Sequence, residues 1–308
     1  MNNGWTYRDQ INQAVQDLTV LDYYTQRYQH SSAVAWQARI AAGQILLDGA
    51  QTTAATRLRR GQCLTYNRPP WQEPEVPLSF TTIYEDSDLL VVAKPSGLPV
   101  LPGGGFLEHT LLWQLQQLYP QETPMPIHRL GRGTSGLLLL ARSPTARSIL
   151  SQQMRDRQIC KIYRALVCGT SMPDTFIVTH PIGKISYPTL GYLYAAVSDG
   201  LPAESEGRVL KRGSQTTLLE VKILTGRPHQ IRIHLAAAGY PLFGDPLYGV
   251  GGVPLACLRV AAGKLPVPGD CGYHLHALHL AFSHPTSGQP LSLTCSAPTE
   301  LNDKVILR

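Results

Sequence analysis

No run of apolar residues in this 308-residue chain approaches the roughly 20 needed to cross a bilayer, and its N-terminal segment lacks a basic stretch followed by an apolar core. Neither insertion nor secretion is expected, and the cytosol is the expected compartment. Its six cysteines (Cys63, Cys160, Cys168, Cys257, Cys271, Cys295) have no paired short spacing, which argues against a zinc ribbon or a disulfide framework and for reduced thiols. His274, His276 and His279 sit close in sequence, but alternation along a strand puts the first two on one face and the third on the other, so no metal is expected there. Internal repeats and low-complexity tracts are also missing.

The length and a hydrophobic content of 43% are enough for one sizeable mixed domain and a small one. A formal net charge of +6 and a pI near 9.0 favour a polyanionic partner. The proline-rich stretch Pro69-Pro70-Trp71-Gln72-Glu73-Pro74-Glu75-Val76-Pro77 cannot sustain a helix or an inner strand. Residues 69–78 are therefore a linker between a small module (1–68) and a large domain (79–308). In the module, Asp22 to Ile40 reads as helical and Gln44 to Gln51 as a hairpin with an Asp-Gly turn. In the large domain, strand-like runs (Leu89 to Ala93, Leu137 to Ala141, Lys161 to Val167, Thr217 to Leu224) are separated by helical ones. Leu107, Leu111, Leu115 and Leu118 recur at helical spacing, and Pro144 opens a second helix carrying Ala146, Ile149, Leu150 and Met154. The fold class is α+β.

Five segments carry more specific information: Tyr84 to Val100 with Lys94-Pro95-Ser96-Gly97; His128-Arg129-Leu130-Gly131-Arg132-Gly133-Thr134-Ser135-Gly136; Lys161 to Val167; Leu224 to Leu235 followed by Gly244-Asp245-Pro246-Leu247-Tyr248-Gly249; and Leu275-His276-Ala277 with Leu280 to Pro285. In this order they resemble the signatures of the RluA-type RNA pseudouridine synthases. The resemblance implies a central, mostly antiparallel sheet crossed by an RNA cleft, and a preceding helix-helix-strand RNA-binding module. It implies a monomer that needs no cofactor and acts on structured RNA, with ribosomal and transfer RNA both open.

The reaction breaks the bond between ribose C1′ and uracil N1, turns the base and joins C5 to C1′, with the uridine extruded from its stack. By the resemblance, Tyr163 matches the tyrosine that stacks on the base, Arg232 the arginine that pairs with the catalytic carboxylate, and Arg129 a basic residue beside the catalytic loop. Arg129 and Arg132, with Arg39, Arg57, Arg59 and Arg60 of the module, are expected to contact RNA. Gly131 stands where the family holds its aspartate, and glycine can neither attack C1′ nor take a proton. Gly133 is read as added backbone freedom in the same loop. Asp156, Asp245, Asp86 and Asp88 are the nearest other carboxylates by motif context, and none is assigned the role. A synthase working without this aspartate and a non-catalytic RNA-binding or RNA-folding protein are the two readings. A metal-dependent RNA hydrolase is disfavoured, since no histidine and carboxylate set has ligand spacing. If only the carboxylate is missing, Gly131→Asp is expected to raise pseudouridine formation.

Overall fold

The computed structural model describes residues 1–28, 30–188, 190–255 and 265–302. The chain forms two compact units: Met1–Glu73 with Ser186–Tyr192, and Pro74–Ile185 with Leu193–Arg308. The break at residue 73 falls inside the proline-rich stretch, whose residues 69–80 hold no helix or strand.

The first unit is a four-stranded sheet with two helices. Its elements are β1 (Trp5–Gln10), α1 (Val20–Arg27), α2 (Ala33–Ala41), β2 (Ile45–Leu47), β3 (Ala50–Gln51) and β4 (Cys63–Arg68), with strand order β1-β4-β2-β3. The segment read as one helical stretch from Asp22 to Ile40 is two helices. Ser32 accepts a hydrogen bond from Ala35 N and starts the second, while Trp36 Nε1 donates to the Tyr28 carbonyl and pins the break. The Asp-Gly turn between β2 and β3 is present, with Asp48 and Gly49 both at positive φ (51° and 83°). Trp36, Tyr24, Ile45, Leu58 and Leu64 form the core of this unit.

The second unit is built on a ten-stranded sheet. Its elements are β5 (Thr81–Glu85), β6 (Leu89–Lys94), α3 (Leu111–Leu118), β7 (Met125–Pro126), β8 (Ser135–Ala141), α4 (Pro144–Arg155), β9 (Cys160–Cys168), β10 (Thr175–Val178), β13 (Ser205–Arg212), β14 (Thr216–Ile223), α5 (Gln230–Ala237), β15 (Leu275–Ser283) and β16 (Pro290–Thr294); β11 (Ile182–Tyr187) and β12 (Gly191–Ala196), each divided between the two units, form a separate two-stranded sheet. The order is β10-β13-β14-β9-β15-β8-β6-β5, with β16 on β15 and β7 on β8. Among the described residues every pair in this sheet is antiparallel except β15 with β8, where His276 meets Ser135 and Ala277 meets Gly136. A Cβ on Gly136 would run into the Ala277 backbone, and its φ is 106°, so only glycine allows this parallel join.

β6 and β8 are buried on both faces, which is why Leu89-Leu90-Val91-Val92 and Leu137-Leu138-Leu139-Leu140 are continuous apolar runs. One face packs Leu90, Val92, Leu138 and Leu140 with Leu111 and Leu115 of α3. The other packs Leu89, Val91, Leu137 and Leu139 with Ala146 and Leu150 of α4. The expected apolar stripe of α3 is shorter than its leucine spacing suggests, because Leu107 precedes the helix and Leu118 is 63% exposed at its end. The three histidines near β15 have separate partners: His274 lies against Phe243, His276 bonds Ser135 and Cys295, and His279 bonds Ser292.

Candidate active site

The loop 128–134 enters β8 at the edge of a cleft of about 590 Å3, and the segment Lys94–Gly97 holds that loop in place. The Lys94 ammonium, buried at the end of β6, donates to the carbonyls of Pro95, Leu98 and Arg132. Gly97 N donates to the Arg132 carbonyl and Ser96 Oγ to the Gly133 carbonyl. Burial pulls the Lys94 pKa down to about 7. On the other side of the loop, Leu139 N donates to His128 Nε2, so the ring is neutral; burial lowers its pKa to about 3. His128 thus anchors the loop to β8.

Tyr163 and Lys161 project from one face of β9, two residues apart, into the same cleft. Burial pushes the Tyr163 phenol up, so it stays protonated at neutral pH. Lys161 Nζ donates to Met154 Sδ, and burial lowers its pKa. Arg129 is exposed at the rim.

Arg232 lies in the first turn of α5, 3% exposed. The entry to this helix is set by His229 in the left-handed region (φ 54°) and by Gln230, whose side chain accepts from Thr225 Oγ1 and Arg227 N and donates to the Glu204 carbonyl and Ser205 Oγ. The Tyr248 hydroxyl donates to the Tyr194 carbonyl, so His229 Nδ1 is the donor to Tyr248 Oη and Nε2 is left as an acceptor.

Arg232 is already paired. Its Nε and Nη2 bond the two Asp245 oxygens at 2.7 Å each, and Nη1 donates to the Pro268 carbonyl. Burial works against the charge, and the Asp245 bonds outweigh it, holding the arginine pKa above its ordinary value. This corrects the expectation that Arg232 awaits a carboxylate at position 131. Asp245 cannot supply the reaction's carboxylate, because its oxygens also accept from Leu247 N and Tyr248 N and its side chain is 1% exposed. Among the described residues, no aspartate or glutamate lines the cleft. Asp156 caps the end of α4, while Asp86 and Asp88 lie in the turn before β6. There they gather with His284, a grouping hidden in sequence by nearly 200 residues of separation. Burial would raise the Asp86 pKa, but bonds from Tyr84, the Leu89 and Asp88 amides and His284 hold it at about 2, and the grouping organises the turn.

The space beside Gly131 is filled by Tyr273, a residue that sequence reasoning passed over. A Cβ on Gly131 would stand 2.8 Å from Tyr273 Oη, and one on Gly133 would stand 2.9 Å from its ring carbons. Neither glycine has a left-handed φ. What they supply is room for the ring and not the backbone freedom expected at Gly133. The ring lies with its centroid 4.2 Å from the Arg232 guanidinium carbon, and its hydroxyl is 3.3 Å from Thr134 Oγ1. The only sequence signal was that a tyrosine closely precedes the Leu275-His276-Ala277 segment.

Tyr163, Arg129, Arg232 and Gly131 therefore line one cleft. Arg132 turns aside, its Nε bonded to the Gly269 carbonyl and its guanidinium over Phe106. In the first unit, Arg39 is committed to Trp36 (4.3 Å), Tyr66 and Ser31, and Arg57 donates to the Asp17 carbonyl. Arg59 and Arg60 are exposed.

Residues 88–237 match the family model for RNA pseudouridylate synthase. An uncharacterized RNA pseudouridine synthase of Synechocystis sp. is 54% identical over 92% of this chain and 95% of its own length. RNA pseudouridine synthase 5 of Oryza sativa subsp. japonica is 41% identical over 96% of this chain and 88% of its own, and ribosomal large subunit pseudouridine synthase D of Nitrosomonas europaea 35% identical over 83% and 74%. The solved structure of human RNA pseudouridylate synthase domain containing 1 superposes with a TM-score of 0.57 at 25% identity, covering 77% of this chain and 94% of that one. With the motifs in order, the central sheet and the cleft in place, the chain belongs to the RNA pseudouridine synthase family of isomerases.

Proposed function

We propose that this protein isomerises uridine to pseudouridine in structured RNA, ribosomal or transfer, within the cleft between loop 128–134 and α5, and does so without the family's aspartate. The observation that carries this reading is the convergence of Tyr163, Arg129 and the buried Arg232 on one cleft large enough to take an extruded nucleoside. Tyr163 stacks on the base and serves the proton at C5. Arg129 meets a phosphate at the rim. Arg232, held by Asp245, fixes the floor of the pocket and its positive potential. Arg59 and Arg60 of the first unit add phosphate contacts, and the ribosomal relative in Nitrosomonas europaea makes ribosomal RNA the first place to look.

One observation favours a second reading, an RNA-binding or RNA-folding protein without activity: the cleft has no carboxylate among the described residues. Mapping pseudouridines in ribosomal and transfer RNA from strains with and without the gene separates the two. A site lost with the gene, and restored when the purified protein is added to RNA from the deletion strain, is the expected result. Identical maps together with RNA binding would leave the non-catalytic reading.

A further inference from the structure

We propose that Tyr273 supplies the reactive oxygen at this site, its phenol taking over the role for which position 131 carries no side chain. The inference rests on the isomerase reading above and assigns a catalytic residue to it. Tyr273 Oη is 2.8 Å from where a Cβ on residue 131 would sit, and beyond the glycine and its two chain neighbours, among the described residues, Thr134 Oγ1 at 3.5 Å is the one other atom within 4 Å of that point. A phenolic oxygen thus occupies the place into which a side chain at 131 would project. Gly133 leaves room for the same ring. Both glycines are therefore complementary to one tyrosine anchored about 140 residues later in the chain.

Tyr273 lines the cleft shared with Tyr163, and its ring packs on the Arg232 guanidinium, which favours negative charge developing on the phenol. Thr134 Oγ1, 3.3 Å from Oη, can donate to that oxygen as its charge grows. Burial keeps the phenol protonated at rest, although Arg232 opposes that effect. Tyrosine is an established class of nucleophile at glycosyl carbon.

The step balances within substrate and side chain. Tyr273 Oη bonds to C1′ as the C1′–N1 bond breaks, and the phenolic proton passes to the departing uracil. The base turns, C5 bonds to C1′ and the C1′–Oη bond breaks, leaving a phenolate. The C5 proton returns to that phenolate, directly or through Tyr163. The net change moves one hydrogen from C5 to N1 and consumes no other reactant.

The test uses full-length protein and total RNA from a strain lacking the gene, with pseudouridine formation read by site mapping over time. Tyr273→Phe keeps the ring and its packing and removes only the oxygen. At least a roughly 100-fold loss of rate, with RNA affinity within about two-fold of native and an unchanged melting temperature, is expected. Activity within about three-fold of native would overturn the assignment while leaving the isomerase reading standing. A native protein that modifies no uridine in that RNA would overturn both. If Tyr273→Phe is unstable, 3-fluorotyrosine at position 273 decides the matter. A more acidic phenol should move the alkaline limb of the pH-rate profile toward neutrality, whereas a tyrosine that only packs would leave the profile in place.

Discussion

The two walls of the cleft differ in what they retain. The α5 wall keeps a complete charge pair, with Arg232 and Asp245 buried and bonded at both carboxylate oxygens. The loop wall keeps its anchors, Lys94, Ser96 and His128, but presents glycine where chemistry is expected. Positioning and reactivity are thus separable in this fold. A loop can be held to its strand by carbonyl and ring contacts that do not depend on the side chain at position 131, and a different element can fill the space that position leaves.

Breaking the α5 wall should have the largest effect. Asp245→Ala leaves a buried guanidinium without its partner, and removing one member of a buried pair costs about 3–5 kcal/mol. Urea denaturation followed by tryptophan fluorescence should show this as a large drop in midpoint with an unchanged slope. A loss below about 1 kcal/mol would mean that the pair is not buried as described.

The loop wall is best probed by exchange. Gly131→Asp alone forces its Cβ against Tyr273 Oη, so it should lower pseudouridine formation at least about ten-fold rather than raise it. Combined with Tyr273→Phe, the same substitution gains the space of the removed oxygen. The double variant should then outperform both single variants on RNA from the deletion strain. Equal activity of Gly131→Asp and native protein would show that Tyr273 yields at no cost and that the two side chains do not compete.

Acid should weaken both walls together. The His128 and His229 pKa values are each lowered to about 3, chiefly by burial, so both rings are neutral in the folded state while ordinary histidine takes up a proton near 6.5. A depressed folded pKa means that the stability is fully present above the unfolded value and declines as pH falls from about 6.5 toward 3. Melting temperatures at about pH 7.5, 6 and 5 should fall progressively, and His128→Gln should flatten part of that fall. Lys94→Met, which leaves three carbonyls without their shared donor, should cost about 1–3 kcal/mol and speed amide exchange at Gly97 and Thr134. Exchange unchanged at both would remove Lys94 from the loop's anchors.

Much of this molecule was legible from its sequence because the signals were local. The apolar runs of β6 and β8 announced strands, Pro144 announced the start of α4, and Asp48-Gly49 announced a turn. β1 was not legible, since its residues are mostly exposed and the alternation of Trp5-Thr6-Tyr7-Arg8 stops after four residues at Asp9-Gln10. The break between α1 and α2 was missed although Gln29-His30-Ser31-Ser32 is a polar run, because its determinant is a capping serine and one indole bond that form only in the folded unit. The site divided in the same way. Tyr163 and Arg232 stood out by their motifs, whereas the Arg232–Asp245 pair and the place of Tyr273 against Gly131 and Gly133 depend on elements brought together only by folding.

The smallest expected effect comes from the first unit, where four arginines looked equivalent in sequence and are not equivalent in structure. Arg39 is held over Trp36 and Arg57 is bonded to the Asp17 carbonyl, so replacing either would disturb the unit itself. Arg59 and Arg60 are exposed, and among the described residues neither forms an ion pair. If they meet phosphates, Arg59→Gln with Arg60→Gln should weaken RNA binding by roughly ten-fold at moderate salt. It should also reduce the slope of log affinity against log salt by about 0.7–0.9 for each phosphate that is no longer neutralised. Anisotropy titrations over a series of salt concentrations with a fluorescent ribosomal RNA fragment measure both quantities. An unchanged slope would take the two arginines out of the RNA interface and leave recognition to the cleft and its rim at Arg129.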